Sequence, residues 1–271
     1  KGRWAASIKE FRMGLRIATN TASQAVQKNL NKVANEANES LEKLSSGKRI
    51  NKSADDAAGL AIATSLKAQN KGLRQATRNA NDGVSMVQVA EGGMNEVSNI
   101  LVRLRELTIQ SASDTVGDTE RGFLDKEYQH LNEEIDRIAN TSTFGSTQLL
   151  NGEGPEDMDF QVGIRSGDDN KITFDASQAN VTTGEIGTDG TSVASKDDAL
   201  GAIDQIDGAL TKVSEYRAGL GAVQSRLQST VSNLQTQTVN QESARSVIED
   251  ADVAAESAAL ASANVMKNGA V

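Results

Sequence analysis

Enzymatic chemistry needs side chains that can shuttle protons, attack or hold ions, and this sequence offers few. His130 is the only histidine, and there is no cysteine. Thiol nucleophiles, thiolate metal sites and disulfides are therefore absent together. A Ser/His/Asp relay would have to run through His130, which lies beside Tyr128 and Leu131 in a helical pattern with no HExxH or similar context. It reads as an ordinary helix-surface residue. Glu133, Glu134 and Asp136 suggest paired carboxylates, but adjacent residues on a helix point about 100° apart, so Glu133 and Glu134 do not face one substrate. Asp168-Asp169-Asn170 lacks the alternating oxygens and later Glu of a calcium loop, and its composition is that of a turn. Gly47-Lys48 lacks the rest of a phosphate-cradling GxxxxGK[ST] loop. The expectation is no catalytic residue, no metal ligand and no cofactor.

What the chain has instead is helix-forming sequence. Of its 271 residues 37% are hydrophobic but only 3% aromatic, and there is one proline. Thick cores lean on aromatic and branched aliphatic side chains. A seam between helices needs less apolar volume, and with so little proline long helices go uninterrupted. The net charge of −9 argues against nucleic acid as a partner, because phosphate binding needs a basic surface. No run approaches the ~20 apolar residues of a membrane span, so no membrane insertion is expected. Residues 1–12 lack the apolar stretch of a secretory signal, so an extracellular role would use another export route.

Apolar residues at Val26, Leu30, Val33, Ala37, Leu41 and Leu44 step mostly by three and four, marking one helix face. Ser45-Ser46-Gly47 ends that run with turn chemistry. Ser53 is the expected N-cap of a second helix, with Asp55 and Asp56 in its first turn. This helix should reach about Ala112, a rod of ~90 Å, with a heptad-like seam of Val87, Ala90, Met94, Val97, Leu101 and Leu104. Gly59, Gly72, Gly83, Gly92 and Gly93 fall inside it and read as tolerated or as points of close helix approach. After a short Ser113–Gly117 connection, Leu124, Tyr128, Leu131, Ile135 and Ile138 mark a third helix folding back antiparallel.

The pattern changes at Thr141. Phe160, Val162 and Ile164 alternate, as do Ile172 and Phe174, which predicts a β-hairpin around Ser166–Asn170. Val181–Ser195 is rich in Gly, Thr and Ser and reads as an exposed loop. Helical seams return at Ile203, Ile206, Leu210 and Val213, then at Leu220, Leu227, Val231 and Leu234. A long amphipathic helix cannot bury its stripe alone. The fold class expected is therefore mainly α: a long antiparallel helical bundle, a coiled-coil-like rod, formed by the N- and C-terminal segments with a small β-hairpin insert.

Six stretches, in this order, resemble bacterial flagellin: LSSGKRINKSADDAAGLAI (Leu44–Ile62), RNANDGV (Arg78–Val84), RLRELTIQ (Arg103–Gln110), LNEEIDRI (Leu131–Ile138), YRAGLGAV (Tyr216–Val223) and SARSVIEDAD (Ser243–Asp252). The resemblance covers Met13–Leu150 and about Ala199–Val271. It implies an inner-core helix and connector over 13–55, outer-core helices with β-hairpins over 56–183, and a minimal variable loop over 184–195. A C-terminal outer-core helix over 196–250 and the start of an inner-core helix over 251–271 follow. Residues 1–12 have no family counterpart and read as a mis-assigned start or added sequence. The family continues past Val271 for several helical turns, so the chain as given is expected to polymerise poorly. Thr143-Phe144-Gly145-Ser146 stands where many flagellins have Phe-Asn-Gly.

The resemblance further implies a structural, non-enzymatic subunit of the extracellular flagellar filament, a helical homopolymer that serves as a propeller and is exported by a type III route. The implied partners are other copies, an export chaperone at Ala255–Val271, hook-associated and cap proteins, and a host Toll-like receptor. Arg103, Leu107, Gln110 and Glu127 are the implied receptor or protofilament contacts, with Arg103 and Leu107 on one helical face. Ile17, Val26, Leu30, Val33, Leu41, Leu44, Leu260 and Val265 are the implied inner-core polymerisation residues. A hook–filament junction protein shares the terminal motifs and is the alternative, although YRAGLGAV and SARSVIEDAD favour flagellin. Thr182, Thr183, Thr188, Thr191 and Ser192 are where an O-linked glycan would attach, with no local motif marking them.

Overall fold

A computed structural model describes residues 20–155, 158–175 and 179–269. The 1–12 leader and Ile17 lie outside the described residues. The elements run α1 (Thr21–Ser46), α2 (Ala57–Ser111), α3 (Asp118–Thr141), β1 (Thr143–Phe144), β2 (Thr147–Gln148), β3 (Met158–Gln161), β4 (Lys171–Phe174), the single turn α4 (Thr183–Ile186), α5 (Lys196–Glu249) and α6 (Val253–Gly269). Contacts divide the chain into two compact units: one formed by residues up to Ser65 together with those from Ser243 onward, the other by Leu66–Glu242.

In the first unit the Asn20 side chain caps α1 by accepting from Ser23 N–H at 3.1 Å. Gly47 ends the helix with a left-handed φ of 70°, a conformation that favours glycine. α1 lies antiparallel to α6, with Lys43 Nζ 3.7 Å from Glu256. Their connectors are stitched by backbone bonds from Arg49 N–H to the Glu249 carbonyl at 2.7 Å and from Ala251 N–H to the Gly47 carbonyl at 3.0 Å. The expected Ser53 cap is corrected. α2 starts at Ala57, and Asp56 caps it by accepting from Gly59 N–H at 2.9 Å. The start is delayed because Asp55 turns back to accept from Asn51 and Lys52 N–H, both at 2.9 Å, closing a turn before the helix can begin. The Lys52 N–H, then that of Asn51, holds the Asp55 carboxyl below its ordinary range.

In the second unit the α2 heptad is the core: Val87, Ala90, Met94, Val97, Leu101 and Leu104 are fully buried. Tyr128 and Ile135 of α3 and Ile206, Val213, Leu220 and Leu227 of α5 close over it. α5 runs antiparallel to α2, with Arg105 Nε 2.6 Å from Asp207 and Gln241 Nε2 donating to Gln69 at 3.2 Å. α3 folds back as expected. Buried Arg121 donates to the carbonyls of Ser111 and Ser113 at 2.9 and 3.0 Å, satisfying acceptors that the end of α2 leaves open.

β3 and β4 pair antiparallel with Phe160 opposite Ile172. The turn is longer than the pattern suggests. It begins at Val162, and Val162 and Gly163 N–H both donate to the Asn170 carbonyl. Alternation of Val162 and Ile164 continues past the strand because a Cβ at residue 163 would fall on the Asn170 side chain, and glycine lets the chain turn there. A second hairpin, β1–β2, turns at Gly145, whose φ is 63°.

The reading of Val181–Ser195 as an exposed loop is also corrected. Val181, Thr183, Ile186, Thr188, Thr191 and Val193 are buried. The cause lies on α3. Asp136 accepts from the N–H and the hydroxyl of Thr183, both at 2.8 Å. Asp125 accepts from the Ser192 hydroxyl at 2.8 Å and from Val193 N–H at 2.9 Å. Two helix carboxylates thus satisfy polar groups of Thr183, Ser192 and Val193 where water would otherwise be needed.

Candidate functional site

The chemistry-bearing residues are dispersed. His130 is exposed, with Nδ1 3.2 Å from Glu133. Glu134 is bound to Arg137, Nε to Oε2 at 2.7 Å, and that bond holds its carboxyl below its ordinary range. Asp136 is committed to Thr183. The three neighbouring acids therefore serve three different partners. Among the described residues no group of His, Cys, Asp or Glu could hold a metal ion.

The implied receptor contacts divide. Arg103, Gln110 and Glu127 are exposed, whereas Leu107 is 1% exposed and belongs to the core. The surface role for Leu107 is corrected: it follows Leu104 by three residues and continues the buried heptad stripe. Arg103 sits at the stripe's edge. It donates to Glu127 on α3 through Nη2 at 2.7 Å and Nε at 3.1 Å, and to Glu106 at 3.0 Å. These bonds, Glu127 first, push the guanidinium pKa up. Sequence reasoning missed Val102 and Ile109, 48% and 49% exposed on the outer face of α2. Their i, i+7 spacing on the side away from the seam was the available signal.

The inner-core residues divide as well. Leu30, Val33, Leu44 and Leu260 are half-buried. Val26, Leu41 and Val265 are 49%, 50% and 71% exposed. The buried residues of α1 and α6 are Ala37, Ser40 and Ala263. The fully buried contacts between the two helices are thus made by small side chains, while Val26, Leu41 and Val265 face outward. Val253 and Met266, 60% and 49% exposed, were missed. The glycan candidates Thr183, Thr188 and Thr191 are buried, so in the folded chain their hydroxyls cannot carry a sugar.

Helices joined by small side chains, with large apolar residues turned outward and the acids spent on structure, define a structural subunit that other chains complete. Residues 17–154 match the bacterial flagellin N-terminal helical region and residues 203–271 the bacterial flagellin C-terminal helical region. The chain belongs to the bacterial flagellin family. A flagellin of Halalkalibacterium halodurans is 38% identical over 247 residues, covering 91% of this chain and 90% of that one. The flagellar filament 30.7 kDa core protein of Treponema maltophilum is 37% identical over 227 residues, covering 80% and 79%. Flagellin A of Vibrio anguillarum is 49% identical over 156 residues, which are 58% of this chain and 41% of the Vibrio protein. Among solved structures, Bacillus cereus flagellin superposes with a TM-score of 0.53 at 28% identity, over 62% of this chain and 94% of that one. As a flagellin the chain is a structural protein of the flagellar filament, outside the cell. Among the described residues no helix is long and apolar enough to cross a membrane.

Proposed function

We propose that the chain polymerises with its own copies into the helical propeller of a swimming bacterium, acting mechanically and without a catalytic step. The observation that carries this reading is the outward apolar set on α1 and α6, with Val26, Leu41 and Val265 about half exposed or more. Faces of this kind mark interaction sites, and a heterologous contact that does not close extends into a filament. In this reading Val26, Leu30, Val33, Leu41, Leu44, Leu260 and Val265 build the inner layer. Ile17 joins them on resemblance alone. Residues 13–55 and 251–271 are the inner-layer segments, 56–183 and 196–250 the outer ones, and 184–195 the remnant of a variable region. An export chaperone, hook-associated proteins and a cap protein are the further partners. Short flagellin filament seeds test the proposal. Seeds supply the ordered end that the chain by itself is expected to form poorly, so the chain should extend them in electron micrographs, and Val26→Asp with Leu41→Asp should not. Equal extension by both would sink it.

We infer in addition that a flagellin-sensing Toll-like receptor reads the free monomer at Arg103, Gln110 and Glu127. Their exposure on adjoining faces of α2 and α3 supports this. In receptor-reporter cells Arg103→Ala should raise the concentration for half-activation about tenfold, the loss of one central interface anchor. An unchanged dose response would defeat it.

A further inference from the structure

Two surface features at opposite ends of the Leu66–Glu242 unit carry opposite charge, one around a shallow cleft and the other around an exposed leucine. At one end α2 presents Lys67, Lys71, Arg74 and Arg78, all exposed. Steps of four, three and four place them within about 60° on one helix face. Arg74 donates to Asn70 at 3.1 Å and lies 4.0 Å from Glu242, and Arg78 donates to Gln75 at 3.1 Å. The two arginines also wall a shallow cleft completed by Thr77, Gln235, Thr238 and Val239. Val239, in that cleft, is 64% exposed.

At the other end α5 presents Leu200, a large apolar side chain 49% exposed. Asp197 and Asp204, both exposed, lie one turn to either side of it on the same face. Asp197 sits in the first turn of α5, where negative charge also steadies a helix N-terminus. Asp204 is two turns further in, beyond the reach of that effect, so the helix end does not account for it. The Arg105–Asp207 and Gln69–Gln241 contacts fix the antiparallel register. They put Leu200 level with the α2–α3 connection and the cleft level with Arg74–Arg78, roughly 50 Å away at 1.5 Å per residue.

We propose that Leu200 of one copy seats in the cleft over Val239 of a second copy, with its flanking Asp197 and Asp204 meeting Arg74 and Arg78. This rests on the self-assembly reading and names one contact within it. The knob and the cleft are different patches at opposite ends, so the contact is heterologous and leaves a free knob and a free cleft on every pair. Burial of Leu200 against Val239 supplies the apolar part. The charges at the rim set orientation and encounter rate, and salt weakens them.

The chain has no cysteine, so introduced thiols report the contact cleanly. Leu200→Cys with Val239→Cys in one chain, oxidised while extending filament seeds, should give a ladder of covalent oligomers. Either substitution alone should give none, and the two single variants mixed should stop at dimers. In the double-cysteine chain Asp204→Lys should lower the ladder yield several-fold, and adding Arg78→Glu should restore it. All four positions are exposed, and helical circular dichroism checks that each variant folds. Seeds extended normally without a ladder overturn this contact and leave self-assembly standing. No charge effect in either reversal overturns it as well. Seeds that the unsubstituted chain does not extend remove self-assembly and this contact together.

Discussion

The Tyr128 hydroxyl lies 2.6 Å from the Thr191 hydroxyl, both buried, and this bond fastens the Val181–Ser195 segment onto α3. Thr191 also donates to the Thr188 carbonyl at 2.6 Å, so removing the phenol oxygen leaves Thr191 satisfied. Tyr128→Phe should therefore cost only about 0.5–1.5 kcal/mol. Urea unfolding measures it, and a loss several times larger would mean that the segment depends on Tyr128 alone.

Both tyrosines should titrate late. Burial pushes the Tyr128 phenol up, against opposing hydrogen bonds from Thr191 and Asn132. Burial, then Glu185 and Glu215, pushes up Tyr216. A folded pKa above the unfolded value of about 10 means that the folded chain holds these protons more tightly. The linked stability is intact below about pH 10 and is lost as pH rises through the folded values. Tyrosinate absorbance in the folded chain should lag that of the chain in urea, and coincident curves would refute this.

Arg103 and Leu107 separate receptor effects from folding effects. Leu107→Ala empties a core position and should cost about 2–5 kcal/mol. Arg103→Ala removes exposed pairs with Glu127 and Glu106, which solvent screens, so it should cost far less than the core substitution. If receptor activation falls for Arg103→Ala with the melting temperature nearly unchanged, the residue is a contact. If the two substitutions destabilise equally, the burial assigned to Leu107 is wrong.

The helices were legible because their burial follows period. Val87 to Leu104 and Tyr128 to Ile135 reveal their faces through spacing alone. The Val181–Ser195 segment was not legible, because its burial is decided by Asp125 and Asp136, which lie 47 to 68 residues from the groups they hold and look like any surface acids. Leu107 was misread because a motif was followed as a unit although its members lie on different sides of one stripe. Val26 and Leu41 share a face by spacing, yet spacing does not say whether this chain or another copy covers that face.

Asp159 and Lys171 pair across the β3–β4 hairpin at 2.6 Å, and the Thr173 hydroxyl donates to the same carboxylate at 2.8 Å. The Lys171 bond, then Thr173, lowers the Asp159 pKa, and Asp159 raises that of Lys171. For a carboxyl depressed in this way, the linked stability is present above the unfolded pKa and is lost as pH falls through the folded one. Titration of Asp159 by NMR should find its midpoint below that of a free aspartate. Lys171→Met should bring it part of the way back, since Thr173 remains. A midpoint unmoved by the substitution would show that the pair does not persist in solution.

Gly92 and Gly93 are adjacent on α2, and the sequence gives no reason to treat them differently. A Cβ at Gly92 would meet nothing within 4 Å. Gly92→Ala should therefore stabilise by about 0.4–1 kcal/mol, through helix propensity and a less flexible unfolded chain. A Cβ at Gly93 would lie 2.6 Å from Leu150 Cδ1 and 2.8 Å from Ser142 Oγ. Leu150 is fully buried in the core cluster, where close packing lets its end shift only by displacing neighbours, while Ser142 is held by its hydroxyl bond to the Ile138 carbonyl at 2.7 Å. Overpacking of this kind costs about 1–3 kcal/mol, more than the propensity gained, so Gly93→Ala should destabilise. Opposite shifts in the urea midpoint are expected from the same substitution one residue apart. Shifts of the same sign would mean that the segment from Ser142 to Leu150 does not sit against α2 at Gly93.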